Sequence, residues 1–283
     1  KFEQKYQKLC NIKVYKMDYL IKNMLKKEEK KAQVTLFIII AIVIVASGVL
    51  IYLFYPQVKL ALGIAPKSPQ AFFQNCIEKD LNNAVEKISL QGGSLNPVHY
   101  YAYKDSNVEY LCYNVENYLP CIVQQPLVKK HTEEEIKKAI KPKADECLNS
   151  LENEFKRRGY DISLRKGDYN VELLPKRIVV SFNSPFNIKR GDDVYVGKEL
   201  SVVLHNNLYE LISIANSIIN WEATYGGIET TWYMNLYHDL KVEKLKQTDG
   251  TTIYILTDRN LGNKFQFASR SVAWPPGYQL SSA

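Results

Sequence analysis

Four residues toward the C-terminal end of the chain carry side chains that could do acid–base or metal chemistry. His238 and Asp239 are adjacent, and Glu222 and Glu229 precede them closely. An imidazole beside carboxylates can transfer a proton or hold a cation. A solvated or partly packed histidine accounts for the same residues more simply. The remaining histidines stand far apart and in no recognisable motif: His99, His131 and His205.

The sequence contains no motif that activates a nucleophile or cradles a phosphate. It has no Gly-x-Ser-x-Gly turn, and Gly92-Gly93 follows a predicted helix where a phosphate-binding loop would precede one. The acidic run Thr132-Glu133-Glu134-Glu135 is typical of a helix-capping box. The tripeptide Arg190-Gly191-Asp192, also an adhesion motif, fits a turn between strands. We therefore predict no catalytic residue, metal ligand or cofactor, and an enzyme is the less favoured interpretation.

The five cysteines lie on the two sides of a long apolar segment. Cys10 lies in the basic N-terminal part, whereas Cys76, Cys112, Cys121 and Cys147 follow a long apolar segment. Four cysteines allow three pairings. We favour a local Cys112–Cys121 bridge and a Cys76–Cys147 bridge between two predicted helices. A zinc site is disfavoured because the chain has no Cys-x-x-Cys pair.

Apolar periodicity predicts three helices. Apolar residues recur at intervals of three and four within residues 69–90, 132–158 and 207–221. Pro142 should kink or split the second helix. Between the first two helices, residues 94–131 are rich in tyrosine. We favour short strands packing these rings on a core over an adhesive surface.

The remaining segments predict strands. Asp249-Gly250 between two alternating runs is the strongest hairpin signal. The order of helices and strands does not alternate regularly, which favours an α+β fold with a mainly antiparallel sheet. The predicted strands are 169–174, 177–183, 194–204, 241–247, 251–257 and 264–269.

An apolar segment predicts a single membrane span. Residues 34–55 include 22 amino acids and no charge. As a helix they would extend about 33 Å, close to the hydrocarbon thickness of about 30 Å. Lysines cluster on the N-terminal side, so the positive-inside rule places residues 1–32 in the cytoplasm and the rest outside.

The junction before this segment resembles a class III, type IV pilin-like signal. The stretch 30–38 has basic residues, then Ala32 and Gln33, then the apolar run. The resemblance implies cleavage between Ala32 and Gln33. Phe37 stands where pilins usually have glutamate, five residues after the cut.

Three later segments resemble uncharacterised archaeal single-pass membrane proteins. They are residues 76–93, 141–162 and 258–277. This resemblance implies an extracytoplasmic α+β domain and no particular activity.

The charge distribution argues against a nucleic-acid partner. The net charge is +7, but residues 1–32 hold ten lysines and four acids, and the rest is nearly neutral. The predicted organisation is therefore a basic cytoplasmic segment (1–32), a transmembrane helix (33–55) and one extracytoplasmic domain (56–283). We expect a cell-surface structural or interaction protein, in contact with the bilayer and with other surface proteins. An extracytoplasmic enzyme or solute-binding module is the alternative.

Overall fold

The computed structural model describes residues 40–45, 47 and 68–275 of the chain. The first two of these pieces are helical. Residues 68–275 belong to one compact unit, and these described residues form four helices and twelve strands.

Most of the residues that the N-terminal predictions concern lie outside the described part of the chain. The basic segment 1–32 and the processing pair Ala32 and Gln33 lie outside the described residues, as does most of the predicted span 33–55. Within the described part of the chain, no helix combines the length and the apolar character needed to cross a bilayer.

The helices and strands of residues 68–275 alternate irregularly along the chain. The helices are α1 (Pro69–Leu90), α2 (Val128–Arg157), α3 (Leu208–Tyr225) and α4 (Thr231–Leu236). The strands are β1 (Tyr100–Tyr103), β2 (Ser106–Tyr113), β3 (Ile122–Val123), β4 (Asp161–Leu164), β5 (Tyr169–Leu174), β6 (Arg177–Phe182), β7 (Phe186–Arg190), β8 (Asp193–Gly197), β9 (Leu200–His205), β10 (Leu240–Lys246), β11 (Thr252–Asp258) and β12 (Lys264–Arg270).

The strands form three sheets, and nearly all their pairings are antiparallel. The largest sheet has the order β1-β2-β12-β11-β10, with β3 paired to β2. Its β12–β2 pairing is parallel. Two smaller antiparallel sheets have the orders β4-β7-β8 and β5-β6-β9. The predicted α+β class with mainly antiparallel pairing is confirmed, although the strands are divided among several sheets.

The helices bury their apolar faces in one main core. Phe73, Ile77 and Leu81 of α1 are fully buried, and the Phe73 ring packs edge-on against Phe182 of β6 at 4.8 Å. Ser68 begins this helix as predicted, because its hydroxyl accepts a hydrogen bond from the Ala71 amide at 3.2 Å. The core continues along one face of the largest sheet, which α3 covers.

The tyrosines between α1 and α2 largely pack as we favoured. Tyr110 is buried, and Tyr101, Tyr103 and Tyr113 pack partly buried around a second, smaller cluster on the other face of the largest sheet. Tyr100 and Tyr118 differ, because they are 44% and 52% exposed.

Two predicted helix boundaries are wrong. Helix α2 begins at Val128, and the Thr132 hydroxyl is buried inside it, donating to the Val128 carbonyl at 2.8 Å instead of capping an end. Pro142 does not split this helix. Helix α3 runs past Trp221 until Gly226, whose left-handed backbone (φ 75°) ends it.

The predicted strand 194–204 is also corrected. It divides at residues 198 and 199 into β8 and β9, which belong to different sheets. A pattern of alternation cannot show this, because both halves are rich in β-branched residues. The Asp249-Gly250 hairpin is confirmed as the connection between β10 and β11.

Candidate functional site

A cleft opens where α3 stops covering the largest sheet. Leu240 and Val242 of β10 are buried in the main core, and alternation places Lys244 and Lys246 on that same face of the strand. The helix ends before Gly226, so it does not cover the positions at this end of the sheet. The resulting cavity has a volume of about 720 Å³.

A buried carboxylate forms the inner wall of the cleft. Glu222, in the last turn of α3, is 3% exposed. One of its oxygens accepts a hydrogen bond from the Tyr254 hydroxyl, and the other accepts from the Ser269 hydroxyl at 3.2 Å. Burial, together with the Glu222 carboxylate, raises the pKa of Tyr254 well above its ordinary value. Tyr254 therefore stays protonated and acts as a donor to Glu222.

Lys244 is the most unusual charge in the cleft. Its half-buried ammonium donates to the Ile228 carbonyl at 2.9 Å. Burial lowers the pKa of Lys244 and outweighs the attraction of the Glu222 carboxylate, which raises it, while the positive charge of Lys246 lowers it further. In residues 68–275, the Lys244 ammonium makes no ion pair with a carboxylate.

A rigid loop lies between β2 and β3, beside the cleft. The Cys112–Cys121 disulfide closes it. Arg270 holds it from β12, because its guanidinium donates to the carbonyls of Asn114 and Val115 and to the side chain of Asn117. Five donors in a planar group suit this multiple contact.

Strained backbone occurs both in this loop and in the segment that follows β12. Tyr118 and Val272 have positive φ values of 63° and 43°. Positive φ is uncommon outside glycine and exceptional for a β-branched residue. The Tyr118 amide donates to the Ala273 carbonyl at 2.9 Å, and the Val272 amide donates to the Leu119 carbonyl at 2.8 Å. Strain that the surrounding bonds hold in place is typical of functional sites.

The loop and the segment after β12 display large apolar side chains to solvent. We call Val115, Tyr118, Leu119 and Trp274 the loop platform, and their exposed fractions are 72%, 52%, 46% and 51%. The Tyr118 and Trp274 rings meet edge-on at 5.2 Å. Trp274 also lines the cleft, so platform and cleft are continuous. Clustered exposed apolar side chains mark interaction sites more often than single ones do.

A second polar cluster ties α1, β2 and α2 together. The Ser94 hydroxyl lies 2.5 Å from a Glu109 oxygen and 2.7 Å from Nε2 of His131. In a catalytic triad the histidine lies between the serine and the carboxylate. Here the serine lies between the other two and is 4% exposed. The cluster therefore fits a structural junction, not an activated nucleophile.

This junction predicts a pH-dependent contribution to stability. Burial raises the pKa of Glu109 above its ordinary value of 4.5, so the folded protein holds that proton more tightly than the unfolded chain. The favourable contribution is complete below the ordinary value and is lost as the pH rises through the folded pKa. We expect the unfolding free energy of the wild type, relative to Glu109→Gln, to fall as the pH rises from about 4.5 through the folded pKa of Glu109. Denaturant titrations across this range test it, and a constant or rising difference would contradict it.

Of the four residues that the sequence suggested for acid–base or metal chemistry, only two lie in the same site. Glu222 and Glu229 both line the cleft, whereas His238 and Asp239 do not. Hydrogen bonds from Thr231 hold the pKa of Glu229 below its usual range. In the described residues, no group of three or more histidine, cysteine, aspartate or glutamate side chains could hold a metal ion.

The remaining predicted motifs have structural roles. The Arg190-Gly191-Asp192 motif forms the turn between β7 and β8, and the Arg190 guanidinium donates to the Arg158 carbonyl at 2.6 Å. The cysteines pair as favoured, Cys76 with Cys147 and Cys112 with Cys121.

The cleft and the loop platform were missed by the reasoning from sequence. Lys244 follows Leu240 and Val242 at alternate positions of one strand, which signals a cation on an otherwise buried face. The exposure of Trp274 leaves no trace in the local pattern. No family model matches this chain, and no curated protein or solved structure matches it either.

Proposed function

We propose that this chain is a membrane-anchored cell-surface protein whose outer domain docks another protein on the loop platform. The observation that carries the proposal is the set of exposed apolar side chains on this loop and on the segment after β12, where a disulfide closes the loop and Arg270 is hydrogen-bonded to it. A preformed surface loses little conformational entropy on binding. Tyrosine and tryptophan are also the residues that most often dominate protein interfaces.

The anchor and its orientation rest on the sequence. The uncharged residues 34–55 are long enough to cross a bilayer, and lysines flank their N-terminal end. Two disulfides in the following domain fit an oxidising, extracytoplasmic compartment. The pilin-like resemblance adds a processing site between Ala32 and Gln33. N-terminal sequencing of the protein from native cells tests that site independently of the docking surface.

Altering the platform should weaken docking strongly without unfolding the domain. We expect Tyr118→Asn combined with Trp274→Ser to weaken partner binding at least about 30-fold, which is the effect of losing an interface hot spot. Asparagine tolerates the left-handed backbone at position 118, so the loop should keep its shape. The measurement is quantitative mass spectrometry of proteins crosslinked to the full chain in native cells.

Trp232→Ser is the matched control for this experiment. Trp232 is 63% exposed, but it lies on α4 and does not line the cleft. Proteins that crosslink to the wild type should be retained by this control and lost from the platform variant. Equal crosslinking by all three forms would show that the platform is not the docking surface.

A further inference from the structure

Within residues 68–275 neither lysine of the cleft makes an ion pair, although Glu222 and Glu229 line the same cleft. Lys244 and Lys246 are two residues apart on β10, so their side chains share one face of the strand. The Lys244 ammonium has three protons to donate; it makes one hydrogen bond, to Ile228, and lies 5.8 Å from the centre of the Tyr254 ring. In the described part of the chain, the Lys246 ammonium has no hydrogen bond or ion pair.

The carboxylates that line the cleft are already bound elsewhere. Both oxygens of Glu222 accept from buried hydroxyls, those of Tyr254 and Ser269. One oxygen of Glu229 accepts from the amide and hydroxyl of Thr231 at 3.1 and 2.9 Å. A half-buried ammonium without an ion pair is costly, and an entering carboxylate would relieve that cost with charge-assisted hydrogen bonds.

Because the cleft and the platform are continuous, one peptide segment could occupy both and carry the carboxylate into the cleft. Trp274 belongs to both, and a volume of about 720 Å³ is ample for an acidic side chain. One extended peptide can therefore place an apolar side chain on the platform and an acidic one beside the lysines. Alternating side chains of different character are readily supplied by such a segment.

We propose that the cleft binds an aspartate or glutamate side chain of the docked protein, so that the segment recognised is both apolar and acidic. This inference rests on the proposed docking function, and it names the chemistry of the partner. Lys244 and Lys246 bind the carboxylate, while Tyr118 and Trp274 contact the apolar side chain. The interaction should weaken as salt increases, because exposed charges are screened.

Peptide selection on the full chain tests the proposal. A phage library of random dodecapeptides is panned against the chain in nanodiscs, and empty nanodiscs serve as the background. We expect enriched peptides to combine an aromatic or aliphatic residue with aspartate or glutamate. Selected peptides are then synthesised with each acid replaced by its amide, and binding is measured by fluorescence anisotropy.

The lysine variants connect the peptide to the cleft. Lys244→Met and Lys246→Met should each reduce the affinity for the acidic peptide roughly tenfold. The affinity for the amide form of the peptide should not change. Lys241→Met is the matched control, because Lys241 lies on the opposite face of β10 and pairs with Glu243 at 3.0 Å. The Lys241→Met variant should bind the acidic peptide with the affinity of the wild type.

Other outcomes would separate this proposal from the docking function. Peptides that need Trp274 but show no preference for acids would overturn the role of the cleft and leave the docking function standing. Peptides whose binding does not depend on Trp274, or no enrichment at all, would count against both the role of the cleft and the docking function. Lysine-dependent binding of oligogalacturonate, with no peptide selected, would overturn the peptide and indicate an acidic glycan.

Discussion

Removing the Cys76–Cys147 disulfide should lower the free energy of unfolding by about 4 kcal/mol. The bridge joins α1 to α2 across 71 residues of sequence. Closing so long a loop removes much conformational entropy from the unfolded chain, which is the main source of the stabilisation. Both helices contribute buried side chains to the main core, so the lost constraint also loosens their packing.

The second disulfide provides the control for this prediction. Cys112 and Cys121 are separated by nine residues, and the same entropic argument gives a loss of about 2.5 kcal/mol for that pair. Each pair is replaced by alanine in the full chain in nanodiscs, and denaturant unfolding is followed by tryptophan fluorescence. Equal losses, or a larger loss for the short loop, would contradict the account.

Glu222→Ala should destabilise the fold by about 3 kcal/mol. Glu222 is 3% exposed, and its carboxylate is the acceptor for the hydroxyls of Tyr254 and Ser269. Without it, two buried donors would have no partner. The cleft would also lose its inner wall, because Glu222 separates it from the core.

Glu222→Gln distinguishes hydrogen bonding from charge at this position. The amide oxygen can still accept from Tyr254, and the amide nitrogen can donate to the Ser269 oxygen. We expect this variant to lose only about 1 kcal/mol. Denaturant titrations of both variants measure the difference. Equal losses would show that the negative charge itself, and not the pair of hydrogen bonds, stabilises this end of α3.

The parts of the fold that depend on residues close together in the sequence could be predicted from it. The hairpin at Asp249-Gly250 and the start of α1 after Ser68 follow from turn and capping preferences. The capping interpretation of Thr132 failed for a tertiary reason. Its hydroxyl is buried within α2, where the helix extends one turn further toward its N-terminus to bury Val128.

The candidate site depends on contacts between distant parts of the chain, so sequence patterns could not locate it. The cleft exists because α3 ends at Gly226 while β10 continues to Lys246. The platform exists because residues near Tyr118 bond to residues near Val272, more than 150 positions away in the chain. Sequence reasoning named Glu222 and Glu229 for proton or metal chemistry; the structure gives Glu222 a hydrogen-bonding role.

Oxidative footprinting in native membranes tests the docking surface most directly, because it needs no variant and no known partner. Hydroxyl radicals modify exposed tyrosine and tryptophan rings, and all three tryptophans of the chain are at least 45% exposed in the structure. The account predicts that Tyr118 and Trp274 are modified less in native membranes than in the purified full chain. Trp232 should be modified equally in both. Equal modification of Tyr118 and Trp274 in the two preparations would contradict a protein docked on the loop platform.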